Sequence, residues 1–127
     1  MEATVIVTFL ALAQYVLFGI MVGSMRQKYN VPAPQETGPE PFERMNRVHL
    51  NTAEQLIVFI PALWMHAYYA NPLYGAIIGL FFIAGRFIYR AAYLKDPKSR
   101  GFGFMMTFSS SAVLLIWALV AAIRTML

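Results

Sequence analysis

The chain has 127 residues, of which 59% are hydrophobic and only 13% charged. A soluble domain averages about 45–50% apolar and about 25% charged, and one this small has no core large enough to hide the excess; the same figures exclude disorder. With no cysteine there is no disulfide framework, no cysteine zinc site and no cysteine nucleophile, and no metal site is expected.

Taken in chain order, residues 3–25 carry no charge, which is long enough to span a bilayer at roughly 20 residues. A cleaved signal peptide is not expected, because the start lacks basic residues and the apolar run is too long. Residues 29–41 hold Pro32, Pro34, Gly38, Pro39 and Pro41 and read as an irregular loop. From Gln55 to Gly85 no Lys, Arg, Asp or Glu occurs, but Asn71 and Pro72 break the run. Asn suits a helix N-cap and Pro the first helical position. Each piece spans a membrane only by extending into its polar neighbour. Residues 101–123 form another uncharged run. The expected fold is an all-α integral membrane bundle of four transmembrane helices near 3–26, 42–70, 72–95 and 102–125, in one domain over 1–127. Pro61 is expected to kink the second helix.

Nine of the ten basic residues lie between Arg26 and Arg100, in or beside loops one and three, and loop two has none. By the positive-inside rule loops one and three are cytoplasmic and both termini face the other side. This bias sets topology whatever the protein does, so net basicity does not argue for nucleic acid.

The informative charges lie on two helices. Arg44, Arg47, Asn51 and Glu54 fall within roughly an 80° sector of helix two at about 100° per residue, while His49 points elsewhere. On helix three, Arg86, Tyr89, Arg90 and Tyr93 share a sector of about 100°. Ionisable groups at membrane depth persist facing a partner or a polar cavity. One alternative is internal ion pairing, such as Glu43 with Arg47 and Glu54 with Arg86. The stripes nevertheless carry more arginine than carboxylate, which suits a ligand bearing carboxylates, since the guanidinium fork binds them bidentately. Glu54 would suit an ammonium on that ligand and Asn51 an amide. The guest implied is a small zwitterionic, peptide-like anion. One four-helix chain cannot easily wrap both stripes around it, so an oligomer with sites between subunits is expected.

At these residues the sequence resembles the MAPEG family, the membrane-associated proteins of eicosanoid and glutathione metabolism. The resemblance is carried by Phe42-Glu-Arg-x-x-Arg-x-His-x-Asn-x-x-Glu54 with Pro61-x-Leu-Trp64, and by Gly85-Arg-x-x-Tyr-x-x-x-Tyr93 followed by Pro97-x-x-Arg-Gly-Phe102. It covers nearly the whole chain and is nearest to the microsomal glutathione transferase and leukotriene C4 synthase branch. It implies a homotrimer that binds glutathione, as co-substrate, between subunits. By position it implies glutathione contacts from Arg26, Arg47, Asn51, Glu54, Tyr89 and Tyr93, with His49 a weaker one, and a thiolate-stabilising role for Arg100. Two positions depart from relatives in the eicosanoid pathway: Gln55 stands where several have tyrosine, and Gln27 where a second arginine follows Arg26. The latter argues against leukotriene synthesis but not against simple thiol addition.

The resemblance therefore implies a transferase in which Arg100 holds glutathione as thiolate for attack on a lipophilic electrophile from the bilayer, with glutathione-dependent peroxide reduction open to the same thiolate. Without the resemblance, Arg100 reads first as a loop-three topology charge like Lys95 and Lys98 and only second as a catalytic group. A non-catalytic lipid-binding or scaffold protein of the same fold is the alternative. A four-helix multidrug transporter ranks last, because the first span has no acidic residue. His66 is expected at the surface, Trp64 and Trp117 as interface anchors or packing, and Phe81, Phe82 and Phe87 facing lipid or between helices. Ser109, Ser110 and Ser111 are expected to allow close helix packing.

Overall fold

A computed structural model describes all 127 residues. Its four helices are α1 (Glu2–Tyr29), α2 (Glu40–Tyr69), α3 (Pro72–Lys95) and α4 (Gly101–Met126), with one 3-10 turn at Pro97–Arg100 leading into α4. Three of them, α1, α3 and the stretch containing α4, are long and apolar enough to cross a membrane. α2 has the length, but its first half carries the polar stripe and lowers its apolarity.

Each terminus has a local cause. α1 ends where Asn30 adopts the left-handed conformation at φ 56°, one that Asn tolerates better than most residues. The Val31 amide then bonds back to the Arg26 carbonyl at 2.9 Å, and Val31 tucks into the core in a Schellman-type stop. α2 starts behind Pro39 and runs through Pro61 as one helix. Pro61 removes one donor from the hydrogen-bond ladder without ending it. α3 starts as expected: the Asn71 side chain accepts from the Leu73 and Tyr74 amides at 2.9 and 3.2 Å, with Pro72 in the first turn. Asp96 caps the 3-10 turn in the same way, accepting from the Lys98 amide at 3.1 Å.

α2 and α3 form the centre; α1 and α4 each pack on both and scarcely on each other. The α3–α4 crossing is close because Gly85 and Gly103 meet there. A Cβ on Gly103 would lie 2.5 Å from the Tyr89 backbone nitrogen, so the glycine lets the α3 backbone seat against α4. Ser110 is buried on the α3 side of α4, its hydroxyl donating to the Met106 carbonyl at 2.7 Å, and Ser111 is buried beside α2.

The interior is divided. One apolar cluster, in the half near loop two, includes Val7, Ala11, Leu56, Phe59, Leu63, Phe82 and Leu114. A second, towards loops one and three, includes Phe18, Val22, Val31, Phe42, Met45, Val48 and Tyr89. Between them lie the buried polar residues Gln14, Thr52 and Arg86, one each from α1, α2 and α3, with Thr107 of α4 packed beside Gly85 at the same level. Outside the clusters, large apolar side chains such as Ile6, Phe9, Ile20, Phe81 and Ile116 are exposed, the pattern of a surface solvated by lipid.

His66 departs from expectation. It is fully buried, edge-on to Trp117 with ring centroids 4.5 Å apart, because Gly75 opposite has no side chain: a Cβ there would sit 2.7 Å from His66 Nδ1. Trp64 donates to the Thr8 hydroxyl at 3.0 Å. Phe82 stacks on Phe59 at 3.9 Å, and Phe87 meets Phe18 edge-on.

Candidate functional site

The α2 stripe turns outward. Arg47 and Glu54 are exposed and Asn51 is half-buried, and the Asn51 carbonyl oxygen has no partner in the chain. Arg47 lines a cavity of about 370 Å³ with Glu36, Glu43, Leu50, Tyr93 and Pro97 among its walls. Farther along the same helix, Glu54 and Gln55 edge a second cavity of about 280 Å³, otherwise walled mainly by apolar residues of α4 such as Phe108, Leu115 and Ile116. A carboxylate is thus presented on a surface that is otherwise greasy.

α3 supplies the tyrosines. Tyr89 is buried and Tyr93 half-buried, their rings stacked at 5.6 Å and 15°. Neither hydroxyl is engaged by another residue of the chain. Arg86 lies beneath this pair, its guanidinium carbon 4.3 Å from the Tyr89 ring centroid.

The ion pairs considered from sequence do not form. Glu43 instead accepts from the Gly38 amide at 3.1 Å, which ties loop one to α2. Arg44 pairs with Glu40 and donates to the Leu94 and Lys95 carbonyls at 2.9 and 3.2 Å. It therefore caps the C-terminus of α3, where cations are favoured, and it fixes the α3 end that leads to Arg100. Arg86 has no carboxylate; its Nε and Nη2 both donate to the Thr52 hydroxyl oxygen, at 3.2 and 2.8 Å.

The remaining sequence-predicted residues are dispersed in the single chain. Arg26 is turned into loop one, donating to the Pro32 and Gln35 carbonyls at 3.4 and 2.6 Å, with its guanidinium 4.9 Å over the Phe42 ring. His49 faces α1, stacked on Tyr15 at 4.4 Å, and does not join the Arg47 cavity. Arg100 is exposed at the end of the 3-10 turn. So Arg47 and Tyr93 share a cavity, Tyr89 stacks on Tyr93, and Asn51 and Glu54 continue the outward face of α2. Sequence reasoning missed Thr52. The signal was present: Met45, Val48, Thr52, Leu56 and Phe59 recur at helical spacing, all buried, and Thr52 is the one polar residue among them.

The model of the MAPEG family matches residues 4–120. The chain belongs to the MAPEG family. Among its relatives is an uncharacterized protein of Synechocystis, 40% identical over 116 residues, which is 91% of this chain and 85% of the relative. The human microsomal glutathione S-transferase 2 is 36% identical over 110 residues, 87% of this chain and 75% of that protein. The bovine protein of the same name is 32% identical over 118 residues, 93% of this chain and 81% of that protein. The fold is accordingly that of a membrane-embedded helical bundle of the MAPEG family.

Proposed function

We propose that this chain is a membrane glutathione transferase that adds the glutathione thiolate to a lipophilic electrophile at sites between the subunits of a homotrimer. The observation that carries the reading is the outward face of α2: Arg47, Asn51 and Glu54 stand on one line, without partners in the chain, on a bundle whose neighbouring surface is apolar. Polar groups at that depth need a cover. A second subunit that closes over them, with a peptide-like zwitterion between, meets that need, and glutathione as that zwitterion is supported by the names of the human and bovine relatives.

In this reading Arg47 binds a glutathione carboxylate, Asn51 an amide and Glu54 the ammonium. Tyr93, and Tyr89 behind it, offer hydroxyl donors. Arg26 reaches the peptide's carboxylate end by exchanging its loop-one carbonyl partners for the ligand, and His49 is the weakest contact. A free thiol ionises near pH 8.5, so little thiolate exists at neutral pH; a guanidinium beside the sulfur favours the charged form. Arg100 supplies that guanidinium. It stays protonated throughout, so it acts by its field and not as a base. The electrophile arrives from the bilayer, and holding both reactants supplies the orientation part of the rate. Loops one and three, with most of the basic residues, face the cytoplasm.

The test is a screen of the purified protein with glutathione against a chlorinated aromatic, a lipid epoxide and a lipid hydroperoxide. Turnover on the aromatic or the epoxide supports the transferase. Turnover on the hydroperoxide alone replaces it with a peroxidase. Absence of all three together with absence of saturable glutathione binding leaves the lipid-binding scaffold.

A further inference from the structure

Arg86 is fully buried, and no carboxylate of the chain pairs with it. About 14 Å of helix, at ~1.5 Å per residue, separates it from the end of α3. Its Nε and Nη2 share one acceptor, the Thr52 oxygen, and Thr52 is itself oriented by donating to the Val48 carbonyl at 2.8 Å. Its Nη1 is buried with no partner. A buried cation left this incompletely satisfied is a poor structural strut, since an apolar side chain of similar volume would hold the helices at least as well. What Arg86 does contact is Tyr89, through the π face, and Tyr89 in turn stacks on Tyr93 at the cavity that Arg47 lines.

We propose that Arg86, held by Thr52, is a positioning residue for the ligand tyrosines. The guanidinium under the Tyr89 ring fixes the ring plane through the cation–π attraction and so sets the Tyr89–Tyr93 stack. It also draws electron density from the phenol, which makes the Tyr89 hydroxyl a stronger donor towards an anionic ligand atom. The planar fork is essential to both effects: it presents a flat cation to the ring while two N–H groups grip a single oxygen, which a lysine cannot do. This proposal deepens the glutathione reading and rests on it.

The experiment compares wild type with Thr52→Val, Thr52→Ser, Arg86→Lys and Tyr89→Leu in detergent, reading glutathione affinity and thermal stability. Thr52→Val is nearly isosteric and touches no ligand. It is expected to weaken glutathione binding at least fivefold, while Thr52→Ser, which keeps the acceptor, stays within twofold of wild type. Arg86→Lys is expected to weaken binding about tenfold in wild type but less than twofold in the Tyr89→Leu background, which has neither ring nor hydroxyl for Arg86 to position. Additive losses in that cycle, or a Thr52→Val protein that is merely less stable with unchanged affinity, would overturn the proposal. A wild type without saturable glutathione binding defeats the functional reading separately. The same cycle is then read in the near-ultraviolet circular dichroism of the tyrosines. Loss of the Tyr89 contribution in Arg86→Lys at unchanged helix content supports the coupling, and an unchanged spectrum overturns it.

Discussion

In the half of the bundle near loop two, apolar groups dominate and the ends are closed. Phe59 stacks on Phe82, His66 fills the space over Gly75, and Asn71 caps α3 with two hydrogen bonds. In the half near loops one and three, the same four helices carry Arg47 facing outward and two tyrosine hydroxyls free of partners, and at its border Asn51 and Arg86 have unpaired buried atoms while Glu54 faces outward. The first half keeps its own unpartnered polar atoms, those of Thr4 and His66, fully enclosed in the interior, whereas the second presents charged groups on its outer face that only something outside the chain can meet. The layer of Gln14, Thr52 and Arg86 is the border between them. Stability is therefore expected to reside mainly in one half and ligand chemistry in the other.

Phe59→Ala tests the closed half hardest. Removing a buried aromatic ring costs about 3–5 kcal/mol in soluble cores, so thermal unfolding in detergent should show a large loss. The glutathione KM of the protein that remains folded should not move. A changed KM would mean that the halves are not separable.

Arg100→Ala is the counterpart in the open half. Losing a charge that stabilises a reacting anion typically costs about 10²-fold in turnover. Unfolding should stay near wild type because Arg100 is exposed and makes no side-chain bond in the chain. Glutathione conjugation at a near wild-type rate would remove Arg100 from the mechanism. Asn71→Ala is a smaller change in the closed half: loss of an N-cap costs about 1 kcal/mol, visible as a modest drop in thermal stability with turnover unchanged. Smallest of all is Glu40→Gln. An exposed i,i+4 ion pair contributes about 0.3–0.5 kcal/mol, and Arg44 keeps its two carbonyl bonds at the end of α3. A stability loss much beyond that would show that the Arg44–Glu40 pair holds the α2–α3 junction.

Much of this division was legible in the sequence. Uncharged runs, the Asn71–Pro72 break and the proline-rich loop located the helices within a few residues. The spacing of Arg47, Asn51 and Glu54 put them on one face. Less legible was what each charge meets. Glu54 and Arg86 lie at comparable depth and invite pairing, yet α2 presents Thr52, and not Glu54, to α3. Periodicity contained part of the answer, because Gln14, Thr52 and Arg86 each follow the helical spacing of their helix's buried residues with apolar neighbours on either side. Their significance depends on all three stripes facing one interior, which is a tertiary fact. His66 was misjudged for the same kind of reason: a histidine near a loop becomes buried only because a glycine on the neighbouring helix leaves room for its ring. Arg26 and His49 were expected at the site from the resemblance alone, but within one subunit they are occupied by loop one and by Tyr15. Sequence position does not reveal such competition.

The central claim is that the outward face of α2 is a glutathione site, and saturable glutathione binding to the purified protein tests it most directly. Wild type should bind saturably. Arg47→Ala should weaken binding at least tenfold, and Arg124→Ala, at the far end of α4, should leave it unchanged. Absence of saturable binding in wild type, or equal affinity in wild type and Arg47→Ala, would contradict it.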